Sequence, residues 1–102
     1  MPFSERDWKH LRTVHGTALE RFCTQVLDDA VAIAQDSRLS AHERYLKLFQ
    51  LLHERNDAMA PAFDDMRRST GLQRLTAMVG LNVLTREELA GFNPDHPCFQ
   101  DL

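Results

Sequence analysis

Two cysteines, four glycines, four prolines, one tryptophan and one tyrosine in 102 residues exclude several kinds of protein at the outset. Cys23 and Cys98 are too few and too far apart for a disulfide framework or a zinc cassette, which points to a reduced, cytoplasmic chain. The first ten residues lack the apolar run of a signal peptide. The longest wholly apolar stretch, Ala30 to Ala34, is far below the roughly 18 residues a membrane-spanning helix needs, so no membrane partner is expected. No period-two alternation long enough for a strand, no internal repeat and no Ser/Gly linker occurs. Neither sign of charge dominates: 12 Lys and Arg against 15 Asp and Glu give a net charge of −3. A general nucleic-acid binder needs a local excess of cations to displace phosphate counterions, so nucleic acid is not the expected partner.

What remains is 43% apolar and 26% charged, the composition of one compact domain spanning residues 1–102, with residues 93–102 a turn and C-terminal tail. A chain of this length loses about 60–70% of its surface on folding, enough for a core without staples. Ten of the 12 cations are Arg; networks with carboxylates or genomic base composition would each account for the bias.

The clearest positive signal is punctuation. Thr17 with Glu20, Ser40 with Glu43, Thr70 with Gln73 and Thr85 with Glu88 have capping-box spacing, and Ser4 with Asp7 is a shorter-armed variant. A short first helix carries Trp8, Leu11 and Val14 and is expected to end or bend at Gly16. A second runs from about residue 18 to 36 on a stripe of Leu19, Phe22, Cys23, Val26, Leu27, Ala30 and Ile33. A third starts at Ala41 and keeps its stripe through Tyr45, Leu48, Phe49, Leu52, Met59, Phe63 and Met66. Pro61 predicts a kink in it, or a break between Asn56 and Ala60. A fourth, after Ser69 or Thr70, turns Leu72, Leu75, Met78 and Val79 inward and ends at Gly80 or Asn82; a short fifth follows Thr85. The expected fold is all-α: a small bundle of about five helices, three long and two short.

Three constellations could carry chemistry. His53, Glu54 and Asp57 resemble half of a zinc-protease motif without its second His, and read more simply as a polar face. Glu54, Asp57 and Asp64 fall toward one helical face if Pro61 does not rotate the register. Such a row could hold a divalent metal for hydrolysis of a phosphate ester or nucleotide, with Arg67 and Arg68 as clamps, although no second helix supplies the matching acids. Asp64, Asp65, Arg67 and Arg68 crowd the corner before a capped helix, where they form either an anion site or an internal salt-bridge lock. With Arg74, the same arginines are the basis of an anion- or nucleic-acid-binding reading. Cys23 reads as a small core residue, since a nucleophilic thiolate would need help from His10 or His15; Cys98 and His96 read as tail residues.

The segments Ser4-Glu5-Arg6-Asp7-Trp8, Arg21-Phe22-Cys23, His42-Glu43-Arg44-Tyr45-Leu46 and Phe63-Asp64-Asp65-Met66-Arg67-Arg68-Ser69 together resemble a group of small, uncharacterised bacterial all-helical proteins. The resemblance covers most of the chain and implies a bacterial, stand-alone cytosolic protein with no catalytic role attached. It departs at Phe92-Asn93-Pro94-Asp95-His96, where the group has Phe-Ser-Pro-Glu-Thr.

The leading functional expectation is a non-enzymatic module, without cofactor, that binds another protein or its own copy. Leu46, Leu51 and Leu52 beside Tyr45, Leu48 and Phe49 give the third run an apolar face wider than one neighbour covers; Tyr45, Leu46, Phe49 and Leu52 are the expected contact residues. A symmetric homodimer is the commonest way to cover such a patch.

Overall fold

The computed structural model describes residues 3–99. Four α-helices form in order: α1 (Glu5–Ala34), α2 (Ala41–Phe63), α3 (Gly71–Leu81) and α4 (Arg86–Ala90), with 3-10 turns at Arg68–Thr70 and Pro97–Phe99. No strand occurs among the described residues, so the all-α expectation holds, while the count of five does not.

The difference arises at Gly16. The two expected N-terminal helices are one 30-residue helix, with Gly16 and Thr17 exposed in its interior. Leu11, Val14, Ala18 and Phe22 continue at spacings of three and four across the glycine, and all four are buried. Glycine costs a helix interior about 1 kcal/mol, less than burying one such side chain returns. The Thr17–Glu20 pair is therefore not a cap but two positions on an uninterrupted helix.

At Pro61 the break does not form. α2 runs unbroken through the expected breakpoint between Asn56 and Ala60, and the proline falls in its last turn. There its ring removes a single backbone bond near an end that is about to stop anyway. The helix ends at Phe63, so Met66 lies in the connection rather than on the stripe. Asp65 takes a left-handed conformation (φ 52°) that turns the chain away. Arg74 donates to the Pro61 carbonyl (2.6 Å) and completes the end of α2, just as Arg44 donates to the Ala34 carbonyl (2.6 Å) at the end of α1.

Of the expected caps, Ser40–Glu43 and Thr85–Glu88 form complete boxes. Thr70 does not: its hydroxyl donates to the Asp65 carbonyl (2.7 Å) and accepts from the Arg67 N–H (3.1 Å), bracing the corner instead of capping α3. Ser4 accepts from the Asp7 N–H (3.0 Å), but the Asp7 carboxylate is used elsewhere. Asn82, at φ 57°, closes α3 in the left-handed cap conformation.

The molecule is long and thin, 51 × 24 × 23 Å, with a radius of gyration of 16.3 Å against about 13 Å for a rounded chain of this size. A closed bundle is thus not what the single chain makes. Its core sits at one end. Leu11, Val14, Ala18 and Phe22 of α1 meet Ala62 and Phe63 of α2, Leu75 and Met78 of α3, and Val83, Leu84 and Phe92. Arg21 locks α4 to this body: it is bidentate to Glu88 (2.5 and 3.2 Å) and also donates to the Val83 carbonyl (2.9 Å). The Arg21 hydrogen bonds hold the Glu88 carboxyl below its ordinary range.

The C-terminal segment is part of the body rather than a loose tail. His96 is buried and pairs with Asp7 at 2.8 Å, across 89 positions of sequence, while the Asn93 N–H donates to the other carboxylate oxygen (3.1 Å). Burial pushes the Asp7 carboxyl up, but the bonds from His96, Asn93 and Ser4 outweigh it and hold the group below the usual aspartate range. Cys98, read from the sequence as a tail residue, is half-buried, and burial raises its thiol pKa. The expected tail also includes residues 100–102, which lie outside the described residues.

Candidate interaction face

From Cys23 to Pro61 no residue is buried, although this stretch holds the distal part of α1 and nearly all of α2. The two helices run antiparallel here as an arm extending from the body. Their turn is firmly built: Asp36 accepts from the Arg38 side chain (2.9 Å) and from its N–H (3.1 Å), bonds that bring the Asp36 carboxyl down to about 2. Ser40 and Glu43 then start α2 with their reciprocal cap.

The arm has two unlike faces. On one, Arg55 reaches across from α2 to Asp29 of α1 (2.6 Å), beside Gln25 and Asp28. On the other lies an open groove of about 560 Å³, walled by Cys23, Val26 and Leu27 of α1 and by Phe49, Leu52 and Met59 of α2. Tyr45 and Phe49 are each 66% exposed and Leu27 is 64% exposed; Val31, Leu46 and Leu52 are about half exposed. Val31 lies one turn beyond Leu27, and Tyr45 one turn before Phe49, so the apolar surface continues past the groove toward the tip.

All four residues expected at a contact face, Tyr45, Leu46, Phe49 and Leu52, are therefore at the surface. Leu27 and Val31 join them. Periodicity places Leu27 on the inward stripe, but the stripe of α1 is wider than the surface α2 covers, and Leu27 falls at the uncovered edge. The spacing of apolar residues marks the stripe and carries no signal for which edge stays open.

The other constellations are dispersed or engaged. Glu54 accepts from Gln50 (3.1 Å), Asp57 lies 3.7 Å from His53, and Asp64 stands at the C-cap of α2. Among the described residues no three His, Cys, Asp or Glu side chains gather as a metal-binding group, so Glu54, Asp57 and Asp64 do not converge. At the corner, Arg67 pairs with Asp65 (2.8 Å) and lowers its carboxyl pKa, while Arg68 donates to the Phe3 carbonyl (3.2 Å). With Arg74 on the Pro61 carbonyl, each arginine of the anion reading has an internal partner. His10 donates to the Glu88 carbonyl (2.7 Å) and His15 to the Phe63 carbonyl (3.3 Å), so neither imidazole is turned to Cys23.

No protein-family model, curated protein or solved structure matches this chain. Among the described residues no helix is long and apolar enough to cross a membrane.

Proposed function

We propose that this chain is a non-enzymatic, cytoplasmic helical protein that works by docking another protein on the apolar face of its arm. One observation carries the reading: a 39-residue stretch, 23–61, contains no buried side chain, yet six large apolar residues share its surface. Contiguous apolar patches beyond a few hundred Å² are rare on monomers and mark interaction sites. The arm is not a slack segment either, since both its helices are capped and its turn is pinned.

On this reading a bundle forms only with a partner. Two helices of the arm have the apolar width of bundle members, and a partner supplies the rest. The hydrolase reading has no comparable support, because its carboxylates do not converge, and the anion reading has arginines already held by carbonyls and by Asp65.

The test uses immobilised wild-type chain and its Phe49→Glu variant, with retained proteins identified and then rebound in purified form. Docking through the arm predicts at least one purified protein, the chain itself included, whose binding weakens by about 100-fold or more in the variant, as expected when an unpaired charge is forced into an apolar contact. Identical binding to both chains would contradict it.

A further inference from the structure

The arm presents half of a bundle, and we propose that its occupant is a second copy of this chain, docked arm to arm about a twofold axis to make four helices. This rests on the reading of the arm as a docking face and names its partner.

Each helix of the arm is wider in its apolar sector than one neighbour covers. On α2, Leu48 and Leu51 are half-buried where α1 packs, while Tyr45, Phe49 and Leu52 occupy the adjoining sector at i, i+4 and i+7 and are exposed. On α1, Val26, Ala30 and Ile33 are half-buried, and Leu27 and Val31 flank them in the open. At about 100° per residue, each helix has an apolar sector wide enough for two neighbours and has only one. In a four-helix bundle every helix has two.

Charge selects the copy over an unlike partner. The one Lys, Arg, Asp or Glu side chain lining the groove is Arg55, already committed to Asp29 at 2.6 Å. A twofold therefore brings no unpaired Asp, Glu, Lys or Arg together in the groove, and a charged foreign helix finds no free one there to pair with. The area is of the right size. Tyr45 and Phe49, each 66% exposed, offer on the order of 100–160 Å² apiece. Leu27, Val31, Leu46 and Leu52 bring the face toward the roughly 800 Å² per partner of a standard stable interface.

The relief of the face sets the direction. Tyr45 and Leu46 project near the tip, whereas the groove opens nearer the body, between Cys23 and Met59. A twofold crossing the arm near Leu52 sets each Tyr45 opposite the other copy's Met59, at the body end of its groove, so that both features are covered twice. An axis along the arm would face groove with groove and leave a void. The arms thus run antiparallel, with the two bodies at opposite ends.

Sedimentation velocity of the full chain over about 1–200 µM tests this. The wild type should reach twice the chain mass at the upper concentrations and dissociate on dilution. Phe49→Glu and, separately, Leu52→Glu should weaken the dimer by about 100-fold or more with unchanged circular dichroism; Gln25→Glu, on the opposite face, should leave it intact. Nitroxides at Ser37→Cys, with Cys23 and Cys98 replaced by Ser, should lie about 40 Å apart in the antiparallel dimer, and a separation under about 20 Å overturns that arrangement. A dimer that survives both Glu substitutions overturns the proposal and the arm reading together. A wild type that stays monomeric to about 200 µM overturns the proposal alone if Phe49→Glu still abolishes binding of a purified foreign protein, and both if it does not.

Discussion

Body and arm are built from the same two long helices, yet buried side chains recur from Phe3 to Phe22 and again from Ala62 to His96, whereas between Cys23 and Pro61 there are none. Local patterning is similar in the two regions: both halves of α1 carry an apolar stripe at helical spacing. What differs is the number of neighbours. Near the body α1 meets α2, α3, α4 and the C-terminal segment; along the arm its partner is α2, joined only at the base by the end of α3 at Gly80 and Leu81. Amphipathicity belongs to the local sequence, but closure belongs to whatever stacks on it.

Truncation should separate the two regions most sharply. Leu75→Ala, at a site with no exposed surface, should cost about 2–5 kcal/mol and lower the Tm by more than about 10 °C. Leu27→Ala in the arm should stay within about 0.5 kcal/mol for the monomer. Equal losses in denaturant titrations would erase the contrast.

The Asp7–His96 contact comes next. His96→Ala leaves a buried carboxylate without its imidazole partner and should cost about 3 kcal/mol. The acid dependence has a definite sign. Because the folded-state pKa of Asp7 is depressed, its contribution is fully present above the unfolded value near about 3.9 and is lost as pH falls through the lower folded value. Thermal melts between about pH 2 and 5 should show this loss in the wild type and a smaller one in His96→Ala. Parallel curves would contradict the assignment.

Two glycines give opposite, smaller effects. A Cβ at Gly16 meets nothing within 4 Å, so Gly16→Ala should stabilise α1, by about 0.5–1 kcal/mol. A Cβ at Gly91 runs into the His10 ring, so Gly91→Ala should destabilise the body. Smallest of all, Asp29→Ala opens a half-exposed ion pair on the polar side of the arm and should cost less than about 1 kcal/mol.

Much of the fold was legible because helix starts and stripes are local. Ser40 and Thr85 cap as their spacing predicts, and Leu75 and Met78 turn inward. The same motif misled at Thr17, where an acid three residues on is also what any exposed helical face offers, and at Thr70, where the left-handed Asp65 draws the hydroxyl to its carbonyl. Asp7 and His96 meet across the whole chain, and no periodicity marks a loop histidine as buried. At the candidate site, Tyr45, Leu46, Phe49 and Leu52 were legible as surplus width on one helix. Leu27 and Val31 were not, because periodicity gives the width of a stripe and only packing decides which of its edges is covered.

Residue-resolved amide exchange at two concentrations, about 5 and 500 µM, probes the difference between body and arm most directly. Dimerisation through the arm predicts slow, concentration-independent exchange for α3 and for residues 11–22, and protection at residues 26–33 and 45–56 that rises markedly at the higher concentration. Protection in the arm that matches the body in the dilute sample and does not change in the concentrated one would contradict it.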